Sequence, residues 1–176
     1  MRAGALEALS KCGKAALPCL GRAVAFLKDD EWWVRDGASC VLEGIGSPET
    51  DPYLDELAFA LRDEEHVMCY NSMSGRLTGL VAAASAETKA ELARLLAKNI
   101  PEMNYPWKKQ RALNVLDSMK TDGQAALPLI DKLIEQQEKL VTDLKKESKP
   151  LDAEDWLLDN LKKTRGLIGG AKPEKK

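Results

Sequence analysis

Residues 13–20 read Gly-Lys-Ala-Ala-Leu-Pro-Cys-Leu and residues 123–130 read Gly-Gln-Ala-Ala-Leu-Pro-Leu-Ile, so one local phrase is written twice in a single chain. A recurring unit of this size cannot bury its own apolar face and must cover it with a neighbouring copy. The repeat therefore calls for stacked helical units before any other property of the chain is considered.

The phrase extends in both directions. Arg2-Ala3-Gly4-Ala5-Leu6-Glu7-Ala8-Leu9 leads to Cys12-Gly13, and Arg35-Asp36-Gly37-Ala38-Ser39-Cys40-Val41-Leu42 leads to Ile45-Gly46. A later copy aligns Trp107-Lys108-Lys109, Ala112, Val115, Leu116 and Met119 with Trp33-Val34-Arg35, Ala38, Val41, Leu42 and Ile45. Small residues alternate with large ones at i, i+3, i+4 and i+7, which is helical spacing, with Ala or Gly where a neighbouring backbone comes close. The segments that follow also read as helices: Leu17, Leu20, Val24 and Leu27 form one apolar face, and Tyr53, Leu54, Leu57 and Leu61 form its counterpart. A diverged pair covers about 64–82, through Val67, Met68, Met73, Leu77, Leu80 and Val81, and about 86–99, through Leu92, Leu95 and Leu96. Pro48, Pro52 and Pro106 stand where proline starts a helix or ends a link without removing an internal hydrogen bond. No stretch alternates with period two in β-branched residues, so no strand is expected.

Arg-x-x-Ala-x-x-x-Leu, then Gly, then Ala-Leu-Pro-x-Leu, then acids followed by Trp-Val-Arg, resembles the HEAT-repeat family, above all the short variety first noticed in phycobilin lyases. The resemblance covers residues 2–69 and 107–134 and extends loosely over 70–106. It implies an all-α, right-handed α-solenoid of about four helical hairpins with a C-terminal capping helix. It also implies a noncatalytic scaffold that binds a protein partner on its surface. The alternative is a HEAT-like enzyme or accessory component, similar to a phycobilin lyase or an alkylpurine DNA glycosylase, because a fold alone does not select a function.

The 176-residue chain is long enough for one substantial core, and its 44% apolar content is ordinary for a helical protein. Its longest apolar stretches, such as Leu80 to Ala84, fall short of the roughly 18–20 residues that a membrane span needs. Arg22 and the periodic pattern interrupt any signal-peptide core. Met1-Arg2 lies inside the first helix with no cap ahead of it, so the sequence is expected to be a piece of a longer chain. Residues 1–168 are expected to form one repeat domain and 169–176 a disordered polar tail.

Residues about 124–147 read as one long helix, with Leu127, Ile130, Leu133, Ile134, Gln137, Leu140, Val141 and Leu144 on a stripe. Such a helix runs about 35 Å at roughly 1.5 Å per residue, longer than its shorter neighbours can cover. The following segment offers a cover, with Asp152 as N-cap, Leu151 as a staple, and Trp156, Leu157, Leu158 and Leu161 on one side. A dimer contact through the long helix is the runner-up to a monomer.

The net charge is −2, but residues 29–65 hold twelve acids against Arg35 and Arg62. Acids gather in turns and first helical turns, where the helix dipole favours them, and such a flank also steers a partner of opposite polarity. Nucleic acid is a poor match for that half. The best candidate for it is local, Tyr105, Trp107, Lys108, Lys109 and Arg111, aromatics interleaved with cations, yet Trp107 and Lys109 occupy repeat slots shared with Trp33 and Arg35.

His66 is the chain's single histidine, and it lacks the i, i+4 partner of a preorganised metal site. It reads as a structural, partly exposed residue. Deoxyhypusine hydroxylases, another HEAT-like family, hold iron through His-Glu pairs; this chain contains no His-Glu dipeptide. No nucleophile elbow or phosphate-binding glycine loop is present. No catalytic residue, cofactor or metal is therefore expected. Cys12, Cys19, Cys40 and Cys69 form no CxxC pair and read as small buried apolar residues, with a Cys12–Cys19 disulfide as an open alternative. Reduced, cytoplasmic use is favoured, with an extracytoplasmic place open if the chain is part of a secreted one.

Trp32 and Trp33 point about 100° apart on a helix, so they cannot share one seam. Trp33 has a repeat counterpart and is expected to pack in the seam, which leaves Trp32 as the preferred contact residue, with partial burial against the next loop as an equal alternative. With Asp29, Asp30 and Glu31 before it, and with Tyr70, Tyr105 and Lys108 as secondary candidates, Trp32 forms the expected partner-binding set.

Overall fold

The small–large phase of the repeat becomes helix where it is expected. A computed structural model describes residues 2–147 and 149–170, and these are all-α, without a strand. They form α1 (Arg2–Lys11), α2 (Leu20–Phe26), α3 (Trp32–Ile45), α4 (Leu54–Asp63), α5 (Val67–Ala83), α6 (Ala86–Asn99), α7 (Pro106–Met119), α8 (Leu127–Lys146) and α9 (Asp152–Ile168). Turns of 3-10 geometry at Gly13–Cys19, Asp51–Tyr53 and Lys120–Ala126 lead into α2, α4 and α8. Among the described residues no helix is long and apolar enough to cross a membrane. The chain divides into two compact units, Met1–Thr88 and Lys89–Lys176.

In the first unit α3 is the central element. Val34, Ala38, Val41, Leu42 and Ile45 are all buried along it, and α1, α2 and α5 each pack against it. Burying a side chain of this kind stabilises by roughly 1.5–3 kcal/mol. Helix α1 comes so close that a Cβ added at Gly44 would lie 2.3 Å from the Ser10 carbonyl oxygen. A side chain there would force the two backbones apart. On the other flank Arg76 of α5 donates to Asp36 at 2.6 Å and to the buried Ser39 hydroxyl at 3.0 Å, a polar clamp between α3 and α5. Helix α5 also receives α4, through buried Leu54, Leu57, Ala58 and Leu61 on α4 and Met73, Leu77, Leu80 and Val81 on α5.

In the second unit α9 packs on both α7 and α8. It supplies Leu158, Leu161, Thr164 and Ile168 as buried residues, opposite Ala112, Leu113, Val115, Leu116 and Met119 of α7 and Ile130 and Val141 of α8. The stripe on α8 thus has the intramolecular cover it calls for. Leu140 at its edge stays 45% exposed.

Several expectations need correction. The doubled phrase begins as a 3-10 turn in both copies, so α2 starts at Leu20 and α8 at Leu127, and Leu17 is exposed instead of facing a core. Pro18 lies inside the 3-10 turn ahead of α2, whereas its counterpart Pro128 stands in the first turn of α8, where a missing N–H costs no helical bond. Val67 and Met68, expected on an apolar face, stand 52% and 68% exposed. The N-cap of α9 is Leu151, with Asp152 already inside the first turn, where its charge faces the positive end of the helix. The cysteines are free, and Cys12 is exposed while Cys19 and Cys40 are half-buried; Cys69 alone is a buried apolar-type residue. Of the expected tail, Gly169 and Gly170 form a turn and 171–176 lie outside the described residues.

Candidate functional site

The acid-rich turn before α3 is held by its own backbone. Asp29 accepts from the Glu31 N–H at 3.1 Å and pairs with Arg2. Arg35, one turn into α3, reaches back to donate to the carbonyl oxygens of Asp29 at 2.7 Å and Asp30 at 2.9 Å. Its remaining N–H groups form a two-point fork with Glu64, both bonds 2.7 Å long. One guanidinium therefore ties the turn before α3 to the turn before α5, which a lysine could not do with a single ammonium.

Glu64 is enclosed, its side chain fully shielded from solvent. Burial opposes its ionisation, but the hydrogen bonds from Arg35 and from the His66 N–H at 2.8 Å outweigh that, so its carboxyl titrates below the ordinary carboxylate range. His66 is the N-cap of α5 and accepts from the Cys69 N–H at 3.4 Å through Nδ1. Its ring stacks on Trp32 with centroids 4.0 Å apart and planes 5° from parallel. Trp32 meets Trp33 edge to face at 5.7 Å. The Cys69 thiol lies 3.4 Å from the Trp32 carbonyl oxygen, and burial together with the Glu64 charge pushes its pKa well up, which keeps it protonated and unreactive. These bonds join the starts of α3 and α5 into a collar.

Beside the collar lies a cleft of about 460 Å³ lined by Asp29, Asp30, Asp63 and Glu65, with Lys28 and the Arg35–Glu64 pair among its other walls. The collar presents Trp33, 47% exposed, with Val67 and Met68. This overturns the expectation for Trp33 and, for Trp32, matches the alternative of partial burial. Trp33 faces solvent, and Trp32 is half-buried under His66.

The other expected contact residues separate. Asp29 and Glu31 are half-buried and Asp30 is exposed, all on the turn that borders the cleft. Tyr70 is buried in α5, which removes it from the surface. In the second unit Tyr105 is exposed and stacks on Trp107 at 5.8 Å. Lys108 is only 3% exposed, its amine 5.7 Å from the Tyr105 ring and 5.8 Å from that of Trp107. Its cation faces the two rings, while Lys109 is half-buried and Arg111 exposed.

Among the described residues no group of three or more His, Cys, Asp and Glu side chains is arranged to hold a metal ion. Val67 and Met68 were missed as surface residues because periodicity marks a helix face without marking where its cover ends. In comparisons with protein-family models, curated proteins and solved structures, the chain finds no match.

Proposed function

We propose that the chain is a noncatalytic protein-interaction module, a right-handed solenoid of HEAT-like helical repeats that docks a partner on its surface. The observation that carries this reading is the collar: Trp33 at the start of α3 and Val67 and Met68 at the start of α5 are exposed, on helix starts joined by hydrogen bonds and ring stacking. Tryptophan and methionine are enriched in interface cores, and a rigid display lowers the entropy lost on binding. The repeat reading is supported by the packing of α1 on α3 and of α3 on α5 in series, and by the matched burial of Ala38, Val41, Leu42 and Ile45 with Ala112, Val115, Leu116 and Met119. The groups that could do chemistry in the first unit have structural partners: His66 caps a helix and Glu64 is forked to Arg35.

The test is photo-crosslinking with a reactive residue placed at position 33, at 68, or at the exposed Lys132 on α8 as a control. The expected result is one protein captured from positions 33 and 68 and not from 132. Absence of a captured protein at 33 and 68 overturns the reading.

A further inference from the structure

We infer that the groove between α1 and α2 binds a medium-chain carboxylate, an aliphatic chain of about eight carbons that ends in a single negative charge. Both helices pack on α3 and make little contact with each other. The space left between them is a cavity of about 260 Å³, walled by Ala5, Leu6 and Leu9 of α1 and by Ala23 and Phe26 of α2. On each helix the lining residues recur at helical spacing, so one continuous face turns toward the cavity. A small residue makes part of the room. Ala23 occupies the slot that the doubled phrase, continued in phase, gives to Leu133 on α8.

Two guanidiniums stand among these apolar walls, those of Arg2 and Arg22. Arg2 is matched by Asp29, whose side chain is 6% exposed, and the nearby Glu7 on α1 is matched by Lys11. Arg22 is exposed and has no ion-pair or hydrogen-bond partner among the described residues. The lining therefore carries one uncompensated cation, and a guanidinium offers a fork of N–H groups that fits one carboxylate. A cationic amphiphile meets repulsion there, an uncharged one leaves the fork unused, and a dianion brings a second charge with no free cation to meet it. The volume holds about eight or nine water-sized groups at roughly 30 Å³ each, and the wall from Arg2 to Leu9 runs about 10 Å at roughly 1.5 Å per residue. A shorter acid leaves part of the apolar wall wet, and a longer one extends into solvent.

The experiment uses the whole chain with Leu methyl groups isotopically labelled and straight-chain carboxylates from butanoate to dodecanoate. Octanol and octyltrimethylammonium serve as probes with the same chain and a different head. Octanoate is expected to shift the Leu6 and Leu9 methyl resonances and to slow modification of Cys19, which lines the groove, while the exposed Cys12 reacts at its former rate. Affinity is expected to rise about fourfold per methylene up to about eight carbons and then to level off. Octanoate is expected to bind at least about tenfold more tightly than octanol or the ammonium. Arg22→Ala is expected to bring octanoate down to the level of octanol. Ala5→Phe, which fills the groove from an exposed position, is expected to weaken both about tenfold or more, with the thermal transition unchanged. Lys132→Ala, in the repeat slot of Arg22 on α8, is expected to leave binding in place.

Equal binding of octanol or the ammonium, affinity that keeps rising through dodecanoate, or an octanoate preference that survives Arg22→Ala overturns the inference. Leu6 and Leu9 resonances that do not respond to octanoate overturn it as well. If those resonances move with protein concentration instead, the groove is filled by a second copy of the chain.

Discussion

Helix α3 in the first unit and α7 in the second follow one template to different ends. Ala38, Val41, Leu42 and Ile45 on one, and Ala112, Val115, Leu116 and Met119 on the other, are all at most 3% exposed. The template thus dictates the core. Its departures mark local tasks. The slot of Val34 holds Lys108, whose amine is lodged between Tyr105 and Trp107. Trp33 leans edge to face on Trp32 and stays exposed, whereas Trp107 is half-buried beside Tyr105. Gly44 lies in the tightest approach of α1, while its counterpart Ser118 bonds to the Val115 carbonyl oxygen of its own helix at 2.6 Å. The residue after the helix is Gly46 in one case and Lys120 in the other, both with positive φ, at 75° and 50°. Equal cores with unequal ends indicate that the repeat stabilises both units while the first unit's helix starts are free to specialise.

Breaking the Arg35–Glu64 fork of the first unit is expected to have the largest effect. Glu64→Ala leaves the Arg35 guanidinium facing a buried gap and should cost about 3–5 kcal/mol in urea-induced unfolding. A cost below about 1 kcal/mol would mean that the collar is not built on this pair. Next, Gly44→Ala should cost about 3 kcal/mol, because the new methyl meets the Ser10 carbonyl, whereas Ser118→Ala should cost about 1 kcal/mol or less. Equal costs in calorimetry would refute the asymmetry between the two helices.

The helix ends give a smaller pair of opposite signs. Gly46→Ala should destabilise by about 1–3 kcal/mol, and Lys120→Gly should stabilise by about 1 kcal/mol, since only glycine adopts these backbone angles without strain. A loss of stability in Lys120→Gly would place a structural role on the lysine side chain itself.

The smallest effect is a divergence with pH. Glu64 has a depressed pKa in the fold, so its contribution is present above the unfolded carboxylate value of about 4.3 and is lost as pH falls through the lower folded value. Asp117 on α7 has a raised pKa, chiefly from burial, so the folded chain holds that proton more tightly, and stability is gained as pH falls through the folded value toward the unfolded aspartate value of about 3.9. Glu64→Gln should therefore flatten the loss of stability below about pH 4, and Asp117→Asn should remove the gain that comes above about pH 4. Identical acid profiles for both variants would contradict the difference between the two sites.

The core was legible because helical periodicity and repeat phase are both local: Leu42 and Leu116 follow from spacing alone. Trp33 was misread for a physical reason. A shared repeat slot reveals that Trp33 and Trp107 occupy equivalent positions, but exposure is decided by what lies alongside. Trp32 is covered by His66 and Glu64 is neutralised by Arg35, partners brought together only by folding. Glu64 was one acid among twelve, with nothing in its local spacing to separate it from the exposed Glu65 beside it. The acidic turn itself was legible, and so was the structural role of His66. The exposed Val67 and Met68 were not, since the end of a helix's cover is a tertiary property.

Cys69 turns the collar into a clock. Its sulfur is 0% exposed and rests against the Trp32 carbonyl oxygen and, at 3.3 Å, the Met73 sulfur. A thiol reagent reaches Cys12 directly but must wait at Cys69 for the starts of α3 and α5 to part. The modification rate at that one cysteine, read by peptide mapping, thus counts the opening events of the collar. Any ligand seated across Trp33 and Met68 should slow that count in proportion to how firmly it closes the two helix starts together.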